Sequence, residues 1–160
     1  MVQGHLTFAL QVYICCDEAF LNSDGNAAFA AVLLNSSLNL MDSIANKVSV
    51  KSTLGAEALD VHAACLLGKV HKCPNLVICS DSKSVMDLAS LDLEPLWKIA
   101  TIINDIRLMA SSSKFHFIFV PRNYNEITHW VAKSFVRGEL SKDWVINVHP
   151  RLSSSLNDIG

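Results

Sequence analysis

The sequence predicts an α/β domain built on a mixed sheet, and three observations carry that reading. The first half is a succession of strand-like runs separated by turn signals. The second half alternates helical patterns with short apolar strands. The chain has 160 residues, 51% apolar and 18% charged, which is material for one substantial core at about the commonest size of a single domain. Three strands followed by helix, strand, helix, helix, strand and helix would lay parallel strands beside the first.

Residues 6–16 are β-rich and end at the acidic pair Asp17-Glu18. Residues 22–26, Asn-Ser-Asp-Gly-Asn, concentrate turn formers. Residues 27–34 are almost continuously apolar, as in a central strand. After a second turn at 35–39, residues 40–50 make a third strand, and the three form an antiparallel meander. Residues 56–70 are helical, with Leu59, Ala63, Leu66 and Leu67 on one face, and Lys72-Cys-Pro-Asn75 breaks the pattern. Residues 76–79 are a short buried strand. Ser80 and Asp81 then stand where a helix over 85–89 would be capped. Pro95 starts a further helix to about 110, with Ile99, Ile102, Ile103, Ile106 and Met109 at helical spacing. A loop at 111–114, a strand at 115–120 stopped by Pro121, and a helix at 127–136 complete the domain, which spans 1–140. Residues 141–160 read as an irregular tail. A flavodoxin-like sheet is the competing architecture, but it does not normally begin with three successive strands.

Composition narrows the function classes. No stretch reaches the ~18–20 apolar residues of a membrane span, and the run 6–16 lacks the basic segment and cleavage site of a signal peptide. The five cysteines, Cys15, Cys16, Cys65, Cys73 and Cys79, are odd in number and include no CxxC or zinc spacing. They read as small buried apolar residues of an intracellular, reducing compartment, nucleus or cytoplasm. The Asn35-Ser-Ser sequon is accidental on the same reading. The net charge is −2, whereas a protein that grips nucleic acid by charge alone is basic. Any such binding must use a local site, metal ions or a partner domain.

Three carboxylates fall at places where α/β sheets gather functional groups: Asp17 ending the first strand, Glu57 opening the first long helix, and Asp81 after the strand 76–79. Singly, each has an ordinary explanation: a strand end, a first-turn glutamate favoured by the helix dipole, a helix cap. Jointly they can converge, and converging carboxylates either take up a proton or suit a hard divalent cation.

The segments Cys16-Asp-Glu-Ala-Phe20, Gly55-Ala-Glu-Ala-Leu59, Ser80-Asp-Ser82 and Phe119-Val-Pro-Arg-Asn123, with Asn125 and His129-Trp-Val-Ala-Lys133, together resemble the plant ribonuclease-H-like (reverse-transcriptase-like) domain family. That family shows a D-G-A-F/W-like start, an A-E-A-L-A helix, an S-D-S strand end and a V-P-R-x-x-N-x-x-A-H-x-L-A-K finish. The resemblance runs from Asp17 to Lys133 in order. It implies a ribonuclease H-like fold whose five-stranded mixed sheet has three antiparallel strands and then two parallel ones, flanked by helices. It also implies metal-dependent cleavage of RNA paired to DNA, with Asp17, Glu57 and Asp81 as ligands of Mg²⁺, or of Mn²⁺. The family's fourth acid falls at His129, as in many plant members. An imidazole is a poor Mg²⁺ ligand and a fairer one for Mn²⁺, so His129 either contacts metal in the catalytic set or caps and packs its helix.

Two departures stand out. Glu18 replaces the glycine usual after the first aspartate, and Ala27-Ala-Phe-Ala-Ala31 replaces glycines of the second strand. The first adds negative charge where phosphate must bind. The second either narrows a groove or changes packing only. An RNA–DNA hybrid would be read by shape and 2′-hydroxyls. Asn22, Asn26, Thr53, Ser82 and Asn125 are candidate contacts, with Arg122 and Lys133 toward phosphates; each also reads as an ordinary surface or turn residue. Trp97, Trp130 and Trp144 read as core rather than stacking platforms. Three functions stay open: a metal-dependent hybrid nuclease, a catalytically weak nucleic-acid-binding module derived from a retroelement, and a protein-interaction scaffold.

Overall fold

A computed structural model describes residues 12–20, 26–37, 39–49, 52–73 and 75–136. Residues 6–11 of the first expected strand, the turn bearing Asn22, Trp144 and the expected tail 141–160 lie outside the described residues.

Strands β1 (Val12–Phe20), β2 (Asn26–Leu34) and β3 (Leu40–Ser49) form the expected antiparallel meander. β4 (Leu76–Ser80) and β5 (His116–Phe119) add in parallel, giving one five-stranded sheet in the order β3-β2-β1-β4-β5. The helices are α1 (Thr53–Val70), α2 (Lys83–Ser90), α3 (Ala100–Ser113) and α4 (Glu126–Val136), with a 3₁₀ turn at Arg122–Tyr124. Among the described residues no helix is long and apolar enough to cross a membrane, and the five cysteines are free thiols.

Strand alternation divides the core in two. Ile14, Cys16, Ala31 and Leu33 face α1, α2 and α3, packing with Val61, Ala64, Val85, Ile103 and Ile106. Ala19, Ala28, Ala30 and Val32 point to the other face, where Ala132 and Trp130 of α4 cover them. The alanines that stand where glycines were expected are therefore packing residues. Ala28 and Ala30 are fully buried, and their small side chains leave room for α4 to lie close on the sheet.

Several boundaries differ from the sequence reading. β1 continues past Asp17 to Phe20 because it pairs with β2 as far as Phe20 and Ala27, so Asp17 lies inside the strand. α1 starts at Thr53 rather than 56, because the Ser52 hydroxyl accepts the Gly55 N–H at 3.0 Å and caps an earlier turn; Glu57 is thus one turn in. α3 starts at Ala100, not Pro95. Residues 92–96 carry no regular structure and turns follow, and Arg107 holds this connection through the carbonyls of Leu88, Leu91 and Leu93. α3 then runs on through the serines, where Ser112 Oγ donates to the Met109 carbonyl at 3.1 Å, and Lys114 ends it in a left-handed conformation at φ 55°. Trp97 is not core: it is 82% exposed, with Lys98 Nζ 5.8 Å from its ring centre.

Gly68 fixes how close α1 sits to the sheet. A Cβ there would lie 2.1 Å from Leu76 Cδ2 and 3.4 Å from Ile14 and Phe115 side chains. Leu76 is fully buried in the core that α1 covers. Helix propensity favours alanine over glycine by about 1 kcal/mol, but overpacking a tight core costs about 1–3 kcal/mol. Gly68→Ala is therefore expected to lower stability in urea unfolding, by up to about 2 kcal/mol, the balance of those two effects. A variant as stable as wild type would mean that α1 is free to lift off the sheet.

Candidate active site

The parallel register of β1 and β4 sets Cys16 opposite Ser80. The residues that follow are Asp17, still inside β1, and Asp81, directly after the end of β4, and they stand side by side. Asp17 is fully buried on the α4 face of the sheet, and Glu18, one residue on, is 6% exposed. Asp17, Glu18 and Asp81 each offer a carboxylate oxygen, and these atoms lie within 4.8 Å of one another. Among the described residues no other group of three or more His, Cys, Asp or Glu side chains has this geometry.

Protein donors reach part of this cluster. Asp17 Oδ1 accepts the Glu18 N–H at 2.9 Å, and its Oδ2 meets His129 Nδ1 at 2.8 Å. Arg122 Nε stands 3.5 Å from Asp81 Oδ2, with the arginine side chain 72% exposed. Burial raises the Asp17 carboxyl to about 7 and the nearby Asp81 charge adds to the rise, against the Glu18 N–H and Arg122, which lower it. Glu18 is likewise pushed up to about 7, chiefly by burial. His129 moves down from the usual imidazole range. Its burial is the main cause, and Arg122 and Lys133 add to it. The imidazole is thus neutral at pH 7, and one proton suffices for its contact with Asp17.

Glu57 is placed differently from the expectation. It is not one of the three residues whose oxygens converge. Its Oε2 accepts the Ser82 hydroxyl at 2.7 Å. Ser82 is buried at the start of α2, with its N–H donated to Ser80 Oγ at 3.1 Å, so its hydroxyl is committed within the protein. Asn125 is also buried. Its Nδ2 donates to the Cys16 carbonyl at 2.8 Å, tying the entry to α4 onto β1 directly before Asp17. That tie, with the His129 N–H to Asn125 carbonyl bond at 3.1 Å, fixes the first turn of α4 and hence where His129 points. Thr53 is exposed in the first turn of α1, and Arg122 and Lys133 are exposed.

Two participants were not found in the sequence. Glu18 was read as an added charge rather than a member of the cluster. Asp60 was not singled out, although it follows Glu57 by three residues and so shares its helix face. Asp60 is fully buried, with its carboxyl against that of Glu18 and the Cys16 thiol, and neither its oxygens nor Glu18 Oε2 meet an N–H or hydroxyl donor. Burial and the neighbouring Glu18 hold the Asp60 carboxyl well above its usual range.

Residues 15–135 match the model of a family described as reverse transcriptase-like. Among solved structures, the chain is similar to RNase H1 from the halophilic archaeon Halobacterium salinarum (17% identity, TM-score 0.72, covering 80% of this chain and 98% of that one). It is similar to the N-terminal RNase H domain of a Mycobacterium tuberculosis protein, solved as a fusion with maltose-binding protein (16% identity, TM-score 0.71, 81% and 95% covered). LC11-RNase H1, solved in complex with an RNA/DNA hybrid and isolated from compost by a metagenomic approach, also aligns (13% identity, TM-score 0.68, 81% and 99% covered). No curated protein matches the sequence.

Proposed function

The chain belongs to the reverse transcriptase-like family and has the ribonuclease H fold, and on that premise we propose that it is a divalent-cation-dependent endonuclease that hydrolyses the RNA strand of an RNA–DNA hybrid. The observation that carries this reading is the convergence of Asp17 and Glu18 of β1 with Asp81 after the end of β4. Three acidic groups at that spacing repel one another unless protons or a cation intervene. The donor set is all oxygen, which suits Mg²⁺ or Mn²⁺, and a buried glutamate oxygen without any donor is what a hard cation would satisfy. The residues present therefore fit the ion that the fold family implies. Asp17 and Asp81 would hold it, with Glu57 beside them through Ser82. When bound, the cation supplies charge neutralisation and Lewis acidity at the phosphodiester.

The chain's own groups do the rest. The Asn125 tie and the His129 imidazole hold the Asp17 carboxylate in one orientation. Arg122, exposed beside Asp81, and Lys133, exposed on α4, are placed to meet phosphates. The hybrid would be recognised by shape and 2′-hydroxyls. If Arg122 and Lys133 are the basic groups that meet phosphates, few contacts are made and binding should depend weakly on salt.

The test is cleavage of an end-labelled RNA–DNA hybrid with Mg²⁺ or Mn²⁺, beside an Asp17→Asn control. Cutting that leaves 3′-hydroxyl and 5′-phosphate ends and disappears in the control supports the reading. A folded chain that cuts with neither ion overturns it. One observation favours a second reading, a hybrid-binding module without turnover: His129 and Arg122 already serve Asp17 and Asp81. Hybrid affinity without cleavage would establish that alternative.

His129 also sets an expectation for metal choice. Imidazole is a fairer ligand for Mn²⁺ than for Mg²⁺, so activity should be higher with Mn²⁺. His129→Asp supplies a hard oxygen donor and should move the ratio of Mg²⁺ to Mn²⁺ activity toward Mg²⁺ by about tenfold, the low end of what changes around a metal site produce. An unchanged ratio would place His129 outside the metal's surroundings.

A further inference from the structure

We infer that Glu18, and not Glu57, supplies the third inner carboxylate to the divalent cation; this rests on the metal-site reading proposed above.

Successive residues of a strand point to opposite faces. Asp17 lies on the α4 face with His129. Glu18 lies on the α1 face, where its neighbours are Asp60 and Glu57. The family's motif has a glycine at position 18, which carries no side chain and so offers no ligand there. Here the glutamate rises from β1 itself. Its carboxylate comes within 4.8 Å of those of Asp17 and Asp81, the place the third ligand has to occupy, whereas Glu57 falls outside that group.

The state of the two glutamates differs in the same sense. Glu57 Oε2 accepts the Ser82 hydroxyl at 2.7 Å. Glu18 is 94% buried, and its Oε2 has no hydrogen-bond partner. Buried polar atoms without partners are uncommon because water must be given up for nothing in return. No lysine or arginine among the described residues forms a salt bridge with Glu18, and its neighbour Asp60 offers a carboxyl rather than a cation. A carboxylate in that position gains most from a divalent ion. Asp60, fully buried on the same face, packs behind the Glu18 carboxylate. Replacing glycine by glutamate has therefore moved a ligand from a helix onto the central strand, and Glu57 becomes a positioning residue acting through Ser82.

The full chain, without nucleic acid, is titrated with Mn²⁺ and the free-ion electron paramagnetic resonance signal is followed. Glu18→Gln keeps shape and removes the charge. It should weaken Mn²⁺ binding at least tenfold, while Glu57→Gln should weaken it less than threefold. The rise in melting temperature on adding Mn²⁺ should be lost in Glu18→Gln and kept in Glu57→Gln, and Glu18→Ala is measured in the same way should the glutamine variant fail to fold. Wild-type affinity in Glu18→Gln, an equal or larger loss in Glu57→Gln, or no Mn²⁺ binding by wild type would each overturn the assignment. Hybrid cleavage is scored separately. A chain that binds Mn²⁺ through Glu18 but does not cut sinks the nuclease reading alone. A chain that cuts while Glu18→Gln keeps full Mn²⁺ affinity sinks the ligand assignment alone.

Discussion

Asp81→Asn is expected to reduce cleavage of an RNA–DNA hybrid by more than about a hundredfold while leaving the metal-free protein as stable as wild type, or more so. The activity side rests on position. Asp81 follows β4, level with Asp17 on β1, and gives one of the three converging oxygens. Loss of an outer partner of a metal ligand already costs about 10–100-fold, so loss of a ligand should cost more. The stability side rests on charge. Asp81 raises the Asp17 carboxyl and disfavours its ionisation, so removing that charge relieves repulsion in a buried cluster. Active sites are commonly stabilised in this way at the expense of function. The one partner lost is Arg122, 3.5 Å away and mostly exposed, and such surface pairs contribute about 0–1 kcal/mol. Cleavage by the variant at the wild-type rate would remove Asp81 from the site. A large fall in melting temperature would mean that Asp81 holds β4 and α2 together rather than serving a ligand.

The order of elements was legible because each carried its own periodicity. Residues 27–34 could hardly be other than a central strand, and Ile99, Ile103 and Ile106 marked a helix that the structure places in the core. What escaped was decided by partners distant in sequence. β1 runs beyond Asp17 because β2 continues to pair with it, and no local signal at Glu18 announces that. Trp97 looked like core by residue type, yet the connection before α3 leaves it in solvent. In the site, Asp81 was legible as a strand-end acid, and Asp17 was legible as its neighbour although it lies inside β1. Asn125 was named as a contact for nucleic acid, and its amide instead joins α4 to β1 across 109 positions of sequence. Ser82 was named likewise, and its hydroxyl serves Glu57. Polar residues near an active site are as often needed to build it as to touch the substrate, and sequence spacing does not separate the two uses.

Glu18 and His129 become intelligible together. Relative to the family's pattern, one position has gained a carboxylate and the other lacks one. His129 brings a neutral ring onto Asp17 from the α4 face, and Glu18 brings a charge toward Asp17 and Asp81 from the α1 face. Three converging carboxylates are retained although the fourth acid of the pattern is an imidazole. What has changed is the side of the sheet from which the charge arrives.

The same crowding makes stability depend on pH, and Asp60→Asn should expose it. Asp17 and Glu18 are raised to about 7 and Asp60 is raised as well, all three chiefly by burial. Carboxyls in an unfolded chain titrate at about 4. Between those values the native state holds more protons than the unfolded chain, so unfolding free energy falls as pH rises. The contribution is complete below about 4, is lost as pH passes about 7, and continues to fall while Asp60 ionises. His129, lowered by burial, works in the opposite direction, gaining stability as pH rises through its range. The wild-type melting profile is therefore a sum, and the difference between variant and wild type isolates the acid. Asparagine at position 60 keeps the volume, cannot ionise, and offers an amide to the unpartnered Glu18 oxygen. Its melting temperature should equal or fall slightly below that of wild type at pH 5 and exceed it at pH 8, by about 2–4 °C for each kcal/mol that the buried charge costs. Divalent cation added at pH 8 should narrow the gap, because it stabilises the ionised cluster of the wild type. A difference that stays constant from pH 5 to pH 8 would show that Asp60 is ionised in the folded chain as readily as in the unfolded one, and that burial and Glu18 do not raise it.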